Sequence, residues 1–117
     1  MIPNSAGRVS NLDFLTTHSN GNPGFIKEMV TIFMEESAAA MLQVERGIKG
    51  HEYDAIRRGA HILKAITVYV GVDRFIKRDV MEMERLAIAE TDLTRIEQLY
   101  LKVREIWLKA VEELKIV

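Results

Sequence analysis

The sequence has no cysteine among its 117 residues, which excludes disulfides and thiolate metal sites and favours a reducing compartment. Its 16 basic and 17 acidic residues leave a net charge of -1. A surplus of Lys and Arg, typical of proteins that bind nucleic acid or anionic membranes, is therefore missing. The longest apolar run, residues 65–72, is far shorter than the roughly 20 residues that span a bilayer. We expect a cytoplasmic protein without a signal peptide, bound to neither membrane nor nucleic acid.

Proline is scarce as well, with only Pro3 and Pro23, both in the first quarter of the chain. From Gly24 onward nothing interrupts a long helix, and the apolar residues recur with the helical period. Strand-like alternation and internal repeats are missing. The pattern predicts a short helix from Ser10 to about Thr17, then long helices over residues 23–49, 52–70, 73–89 and from Thr94 onward.

The predicted helix ends depend on capping residues and glycines. Ser10, Asn22 and Thr94 each stand where a side-chain oxygen can accept an unsatisfied backbone N–H of the first turn. Gly50 and Gly71 follow the second and third helices, where glycine commonly ends a helix.

Four long amphipathic helices with short links pack most simply as an antiparallel up-and-down bundle. We therefore expect an all-α fold, a four-helix bundle with a short extra N-terminal helix. Residues 1–10 are expected to form a flexible leader, and residues 11–117 the single domain.

The third predicted helix carries the residue of greatest chemical interest. At about 100° per residue, one face must be the core, and His61 points almost directly away from it. Lys64 and two arginines lie beside His61 on this outer face, within about 60° of it. The predicted core face consists of Ile56, Gly59, Leu63, Ile66 and Val70.

The neighbours of His61 suit a nucleophile that receives a phosphoryl group. Three nearby cations, Arg57, Arg58 and Lys64, favour the neutral imidazole that such an attack requires. Lys64 can also pair with phosphoryl oxygens. Ala65 leaves open space beside the ring, and Val68 offers apolar surface to a docking partner. On periodicity alone, a surface histidine on a helix is more often inert than functional, and Arg and Lys on an exposed face are usually only solvated charges.

Residues 60–64, with the sequence Ala-His-Ile-Leu-Lys, and Gly71, ten positions after His61, resemble the signature of histidine-containing phosphotransfer (HPt) domains. The segment from Asn22 to Met29, with Phe33, is similar to the second helix of this family. The resemblance covers residues 11–115. The sequence departs from the family at residues 65–67, Ala-Ile-Thr, where many members have Gly followed by small residues. This departure bears on the choice of partner more than on the capacity to accept phosphate.

The resemblance implies a phosphocarrier rather than an enzyme with kinase activity of its own. His61 would be the phosphoacceptor and Lys64 would stabilise the phosphoryl group. Arg57, Arg58, Ala65 and Val68 would contact the partner. The partners implied are response-regulator receiver domains, a hybrid sensor kinase, or both. The chain itself would bind no cofactor and no metal, with Mg²⁺ on the partner receiver, and would be a monomer.

Three alternatives stand beside this interpretation. The histidines His18, His51 and His61 have no metal-ligand spacing, so a metal site is disfavoured. An HPt-like bundle that has lost phosphorylation would serve only for docking. A helical adaptor would use another surface, with Tyr53, Tyr100 and Trp107 as interface anchors.

Overall fold

The fold is all-helical in the part of the chain that the structure, a computed structural model, describes: residues 7–117. Within that range no strand occurs. The helices are α1 (Asp13–Ser19), α2 (Pro23–Gly50), α3 (Tyr53–Ile66), α4 (Asp73–Ile88) and α5 (Leu93–Leu114), and a 3₁₀ turn (Thr67–Val70) follows α3 directly.

The long helices enclose one apolar core. Each packs against its neighbour in the chain, and α5 returns to pack against α2, while α1 lies against α2 and the 3₁₀ turn. The molecule measures 43 × 29 × 19 Å. Phe33, Leu63, Met83 and Leu99, one from each long helix, are all completely buried. Every long helix therefore contributes its apolar stripe to the same core.

Two of the predicted helix starts are wrong. Helix α1 begins at Asp13, because the Ser10 side chain is buried and bonded to Glu113 rather than capping a helix. Helix α5 begins at Leu93, since the Asp92 carboxylate accepts the N–H of Arg95 at 3.1 Å and takes the capping place predicted for Thr94. The predicted cap at Asn22 is confirmed, because its side chain accepts the N–H of Phe25.

The predicted flexible leader is wrong for its last two residues, and residues 1–6 lie outside the described part. Val9 and Ser10 are buried. The Glu113 carboxylate accepts both of their backbone N–H groups and the Ser10 hydroxyl. This carboxylate fixes the segment before α1 to the last turn of α5, so the packed domain begins at Val9.

Tyr100 and Trp107 belong to the interior contacts of the bundle. The Trp107 ring N–H donates to the Ser37 hydroxyl at 2.8 Å, and the Tyr100 hydroxyl donates to the Glu45 carboxylate at 3.2 Å. Burial, with the nearby Glu45 charge, raises the pKa of Tyr100 to about 12. Both side chains join α5 to α2. The hypothesis that Tyr100 is an interface anchor is wrong, because it is only 5% exposed, whereas Trp107 is partly buried and remains partly accessible.

Candidate functional site

Helix α3 has the orientation that its sequence pattern predicts. The five predicted core residues from Ile56 to Val70 are buried, whereas the His61 side chain is 63% exposed. Ala60 and Leu63, on either side of His61 in the motif, are completely buried. The motif thus combines two core positions with two outward positions, His61 and Lys64, on consecutive turns of the helix.

Gly59 sets how closely α3 approaches α2. A Cβ atom at this position would lie 2.6 Å from Val44 Cγ2 and 2.9 Å from the Ala40 carbonyl oxygen. Any larger residue would push the two helices apart. The close contact holds the backbone of the turn immediately before His61 against the core.

The end of the helix also depends on a glycine. Gly71 adopts a left-handed conformation with φ +73°, and a Cβ there would collide with the Asn11 side chain. The preceding turn tightens to 3₁₀ geometry, with the buried Thr67 hydroxyl donating to the Leu63 carbonyl at 2.7 Å. Gly71, ten residues after His61, therefore ends the helix. Because it has no side chain, it also leaves room for Asn11 in the segment that precedes α1.

A carboxylate from the neighbouring helix completes the surroundings of His61. Glu84 of α4 lies with Oε2 2.9 Å from His61 Nδ1 and with Oε1 2.9 Å from Lys64 Nζ. The Glu84 side chain is only 14% exposed, whereas that of Lys64 is 34% exposed. One largely buried carboxylate thus holds both outward residues of the motif.

The contact with Glu84 determines which ring nitrogen of His61 is available for chemistry. A carboxylate only accepts hydrogen bonds, so the nitrogen facing it, Nδ1, must carry the proton. In the neutral ring the lone pair then belongs to Nε2. With 63% of the side chain exposed, His61 can present Nε2 as a nucleophile to a macromolecule that docks over it.

The Glu84 carboxylate is ionised over the physiological range. Burial raises its pKa, but the hydrogen bonds from Lys64 and His61 and their positive charges outweigh burial and hold the pKa below its usual value. The negative charge is therefore present whenever the imidazole gains positive charge, and it stabilises that charge.

The predicted cations around His61 are present but each has an acidic partner. The Asp54 carboxylate forms ion pairs with Arg57, at 2.9 Å between Nη2 and Oδ1, and with Arg58, at 3.1 Å between Nε and Oδ2. Lys64 forms an ion pair with Glu84. Hydrogen bonding from Arg57 lowers the pKa of Asp54. The three cations predicted beside His61 are therefore all ion-paired, with two carboxylates between them. Glu84 fixes the tautomer.

The predicted partner-contacting residues share the surface of α3 with His61. Ala65 is exposed one turn after His61, and the side chains of Ile62 and Val68 are 39% and 38% exposed. Tyr69, on the flank, lies 5.7 Å from the Phe14 ring of α1, centroid to centroid. Ile62, Ala65 and Val68 thus expose apolar surface close to His61.

Sequence reasoning missed Glu84, which lies 23 residues after His61 on another helix. Nothing in its local spacing distinguishes it from Glu82, the other glutamate of α4. The available signal was its helical position, since Glu84 lies on the flank of α4 next to the core stripe rather than on the outer face. Using that signal requires knowing how far α4 is displaced along α3.

Two further observations limit the kinds of site that the described residues form. Among residues 7–117, no three His, Asp or Glu side chains gather into a group able to hold a metal ion. None of the helices in this range has the length and apolar character needed to cross a membrane.

Comparison of the chain with protein-family models, with curated proteins and with solved structures gave no match. The membership of the HPt family therefore stays a prediction from the motif.

Proposed function

We propose that the protein is a histidine phosphotransfer protein, which carries a phosphoryl group between the aspartates of response-regulator receiver domains as phosphohistidine at His61. The observation that carries the proposal is the shared carboxylate of Glu84, with His61 Nδ1 and Lys64 Nζ each 2.9 Å from it. An inert surface histidine needs no such partner, whereas a phosphoacceptor needs a defined nucleophilic nitrogen.

The helix arrangement supports the same proposal. Short links join helices that pack against their neighbours in the chain, and α5 closes the set against α2. We interpret this as an antiparallel up-and-down four-helix bundle with α1 as the short extra helix. Such a bundle presents the outer face of α3 as a rigid platform for a partner.

The proposed transfer begins with in-line attack of His61 Nε2 on the phosphorus of a receiver's phosphoaspartate. An N–P bond forms while the bond from phosphorus to the aspartate oxygen breaks, and that oxygen leaves as a carboxylate. No proton has to leave Nε2, because the ring proton is on Nδ1. The positive charge that develops on the imidazole lies 2.9 Å from the Glu84 carboxylate, which stabilises it.

Lys64 has a role in the transfer that requires movement. In the unphosphorylated site its ammonium is paired with Glu84. When the phosphoryl group arrives, the flexible side chain can turn from Glu84 towards phosphoryl oxygens, which are strong acceptors. Mg²⁺, which the family resemblance assigns to the receiver, would add charge stabilisation from the partner's side.

The partner is a receiver domain, either free-standing or within a hybrid sensor kinase, and the protein acts as a cytoplasmic monomer. Arg57 and Arg58 would face the acidic rim of the receiver's active site. In the free protein both arginines are ion-paired with Asp54. Ala65 and Val68 provide space and apolar surface. The protein has no kinase activity of its own and uses neither nucleic acid nor membrane as a partner.

The test is transfer of ³²P from a purified receiver, encoded in the same genome and phosphorylated on its aspartate. Wild-type protein should gain a label that is labile in acid and stable in alkali, as an N–P bond requires. His61→Gln should gain none, whereas His18→Gln, which alters another exposed histidine, should behave as wild type.

Two results would overturn the proposal. Labelling of the His61→Gln variant would exclude His61 as the acceptor. Binding of the receivers without any transfer of label would instead identify a docking module that works without phosphorylation.

A further inference from the structure

Ion pairing leaves the outer face of α4 with uncompensated positive charge. The helix contains four acidic and four basic residues, but three of the acids pair sideways with neighbouring helices. Glu82 binds Arg95 and Asp79 binds Lys102, both on α5, while Glu84 binds the α3 site. Among residues 7–117, the fourth acid, Asp73 in the first turn, forms no such pair.

The basic residues of α4 have no corresponding partners. Within residues 7–117, none of Lys77, Arg78 and Arg85 has a carboxylate within 4.0 Å, and Arg74 contacts only the Gly71 carbonyl and the Phe75 ring. Arg74 and Arg78 are also one turn apart, a spacing at which like charges repel. The face therefore carries a net positive charge at some cost to the helix.

Large apolar side chains lie among these cations. Phe75 and Met81 are each 46% exposed, and they line an open hollow of about 690 Å³. Three cations, Arg74, Lys77 and Arg78, and two carboxylates, Asp73 and Asp79, complete its lining, and Asp79 is already paired with Lys102. Arginine, methionine and aromatic residues are enriched at the centres of protein interfaces, whereas lysine is depleted there. Three of the four cations on this face are arginine, whose planar guanidinium matches a carboxylate in two hydrogen bonds. This composition favours a protein partner over a lipid surface or a nucleic acid.

We infer that the outer face of α4, defined by Arg74, Phe75, Arg78, Met81 and Arg85, is a second docking surface, which binds an acidic amphipathic helix of another protein. Carboxylates of that helix pair with the arginines, and its apolar side chains cover Phe75 and Met81. Arg78 is six residues before Glu84 and so lies about 120° away around the helix axis. The surface is therefore separate from the His61 site and does not depend on the function proposed for it.

The experiment uses the ¹⁵N-labelled full chain and a synthetic helical peptide of about 20 residues, long enough to be helical alone. The peptide carries glutamates at i, i+4 spacing beside a row of leucines. We expect amide shifts confined to residues 74–85 and affinity about tenfold weaker for Arg78→Glu. The matched control is Arg46→Glu on the exposed face of α2, which changes net charge equally and should bind as wild type.

Three results would overturn the inference. The first is absence of peptide binding, or shifts that lie on α3 instead of α4. The second is an equal effect of Arg78→Glu and Arg46→Glu, which would mean that only net charge matters. The third is tighter binding of this face to phosphatidylserine vesicles or to duplex DNA than to the peptide, which would assign the surface to a different class of partner. Phosphotransfer through His61 should be the same in Arg78→Glu and wild type, so the two proposals fail independently.

Discussion

Replacing Glu84 with Gln tests the central feature of the site with almost no change in shape. The carboxylate can only accept a hydrogen bond from His61 Nδ1, whereas the amide of Gln can also donate one to it. A donating amide stabilises the opposite tautomer, in which Nε2 carries the proton and has no lone pair for attack. The variant therefore mixes active and inactive forms of the ring, and it replaces the ion pair of Lys64 by a hydrogen bond to a neutral amide oxygen.

The expected effect follows from the strength of the lost interaction. A hydrogen bond to a charged group contributes about 1.5–3 kcal/mol, and one between neutral groups about 0.5–1.5 kcal/mol. Because His61 is 63% exposed, solvent screening reduces the difference to about 1 kcal/mol. At about 1.4 kcal/mol for each factor of ten, transfer should slow about fivefold.

The assay is rapid-quench measurement of label transfer from a phosphorylated receiver, together with ¹⁵N NMR of the imidazole to identify the protonated nitrogen. Glu82→Gln is the matched control, since Glu82 lies on the same helix but pairs with Arg95. It should transfer at the wild-type rate. A Glu84→Gln variant that is folded, transfers at the wild-type rate and keeps its ring proton on Nδ1 would refute the reasoning.

Three further predictions concern the scaffold, and each is checked by the free energy of unfolding in urea. Glu113→Gln should lose about 1–3 kcal/mol at pH 7, while Glu112→Gln, an exposed neighbour, should lose little. Burial raises the pKa of Glu113, but the hydrogen bonds from Ser10 and Val9 lower it by more, so the pKa in the folded protein is below the usual value of 4.5. The stabilisation by Glu113 is therefore complete above pH 4.5 and disappears as the pH falls through the pKa of the folded protein. A difference in stability that persists unchanged at low pH would contradict this. Gly59→Ala should cost about 1–3 kcal/mol by overpacking, whereas Gly50→Ala, with no neighbour closer than 3.6 Å, should cost far less. Asn22→Ala should cost about 1 kcal/mol through loss of the α2 cap, and an unchanged stability would mean that the cap contributes nothing.

The sequence was sufficient to predict features whose causes are local. The periodicity of apolar residues predicts each long helix to within a few residues, Asn22 marks the start of α2, and Gly71 marks the end of the His61 helix. The outward direction of His61 also follows from the core positions on its own helix. All of these depend on residues within a few turns of one another.

The features that sequence reasoning missed depend on contacts between distant segments. Ser10 has the side chain of a helix cap, but Glu113, 103 residues away, takes its hydroxyl. Glu84 reaches His61 only because α4 packs on α3 at one particular displacement along the axis. The pairing of Asp54 with Arg57 and Arg58 is an exception, because it is local, at i, i+3 and i, i+4 spacing, and the sequence was sufficient to predict it.

The fixing of Val9 and Ser10 to Glu113 has a consequence for how the domain can be joined to others. The packed chain enters and leaves the bundle at the same end, with the Val9 N–H only 3.0 Å from a Glu113 oxygen. Domains whose termini lie close together tolerate circular permutation and insertion into loops of a host protein. A linker joining the two ends of this bundle need not cross its 43 Å length, so the domain can be carried within a larger polypeptide without disturbing α3.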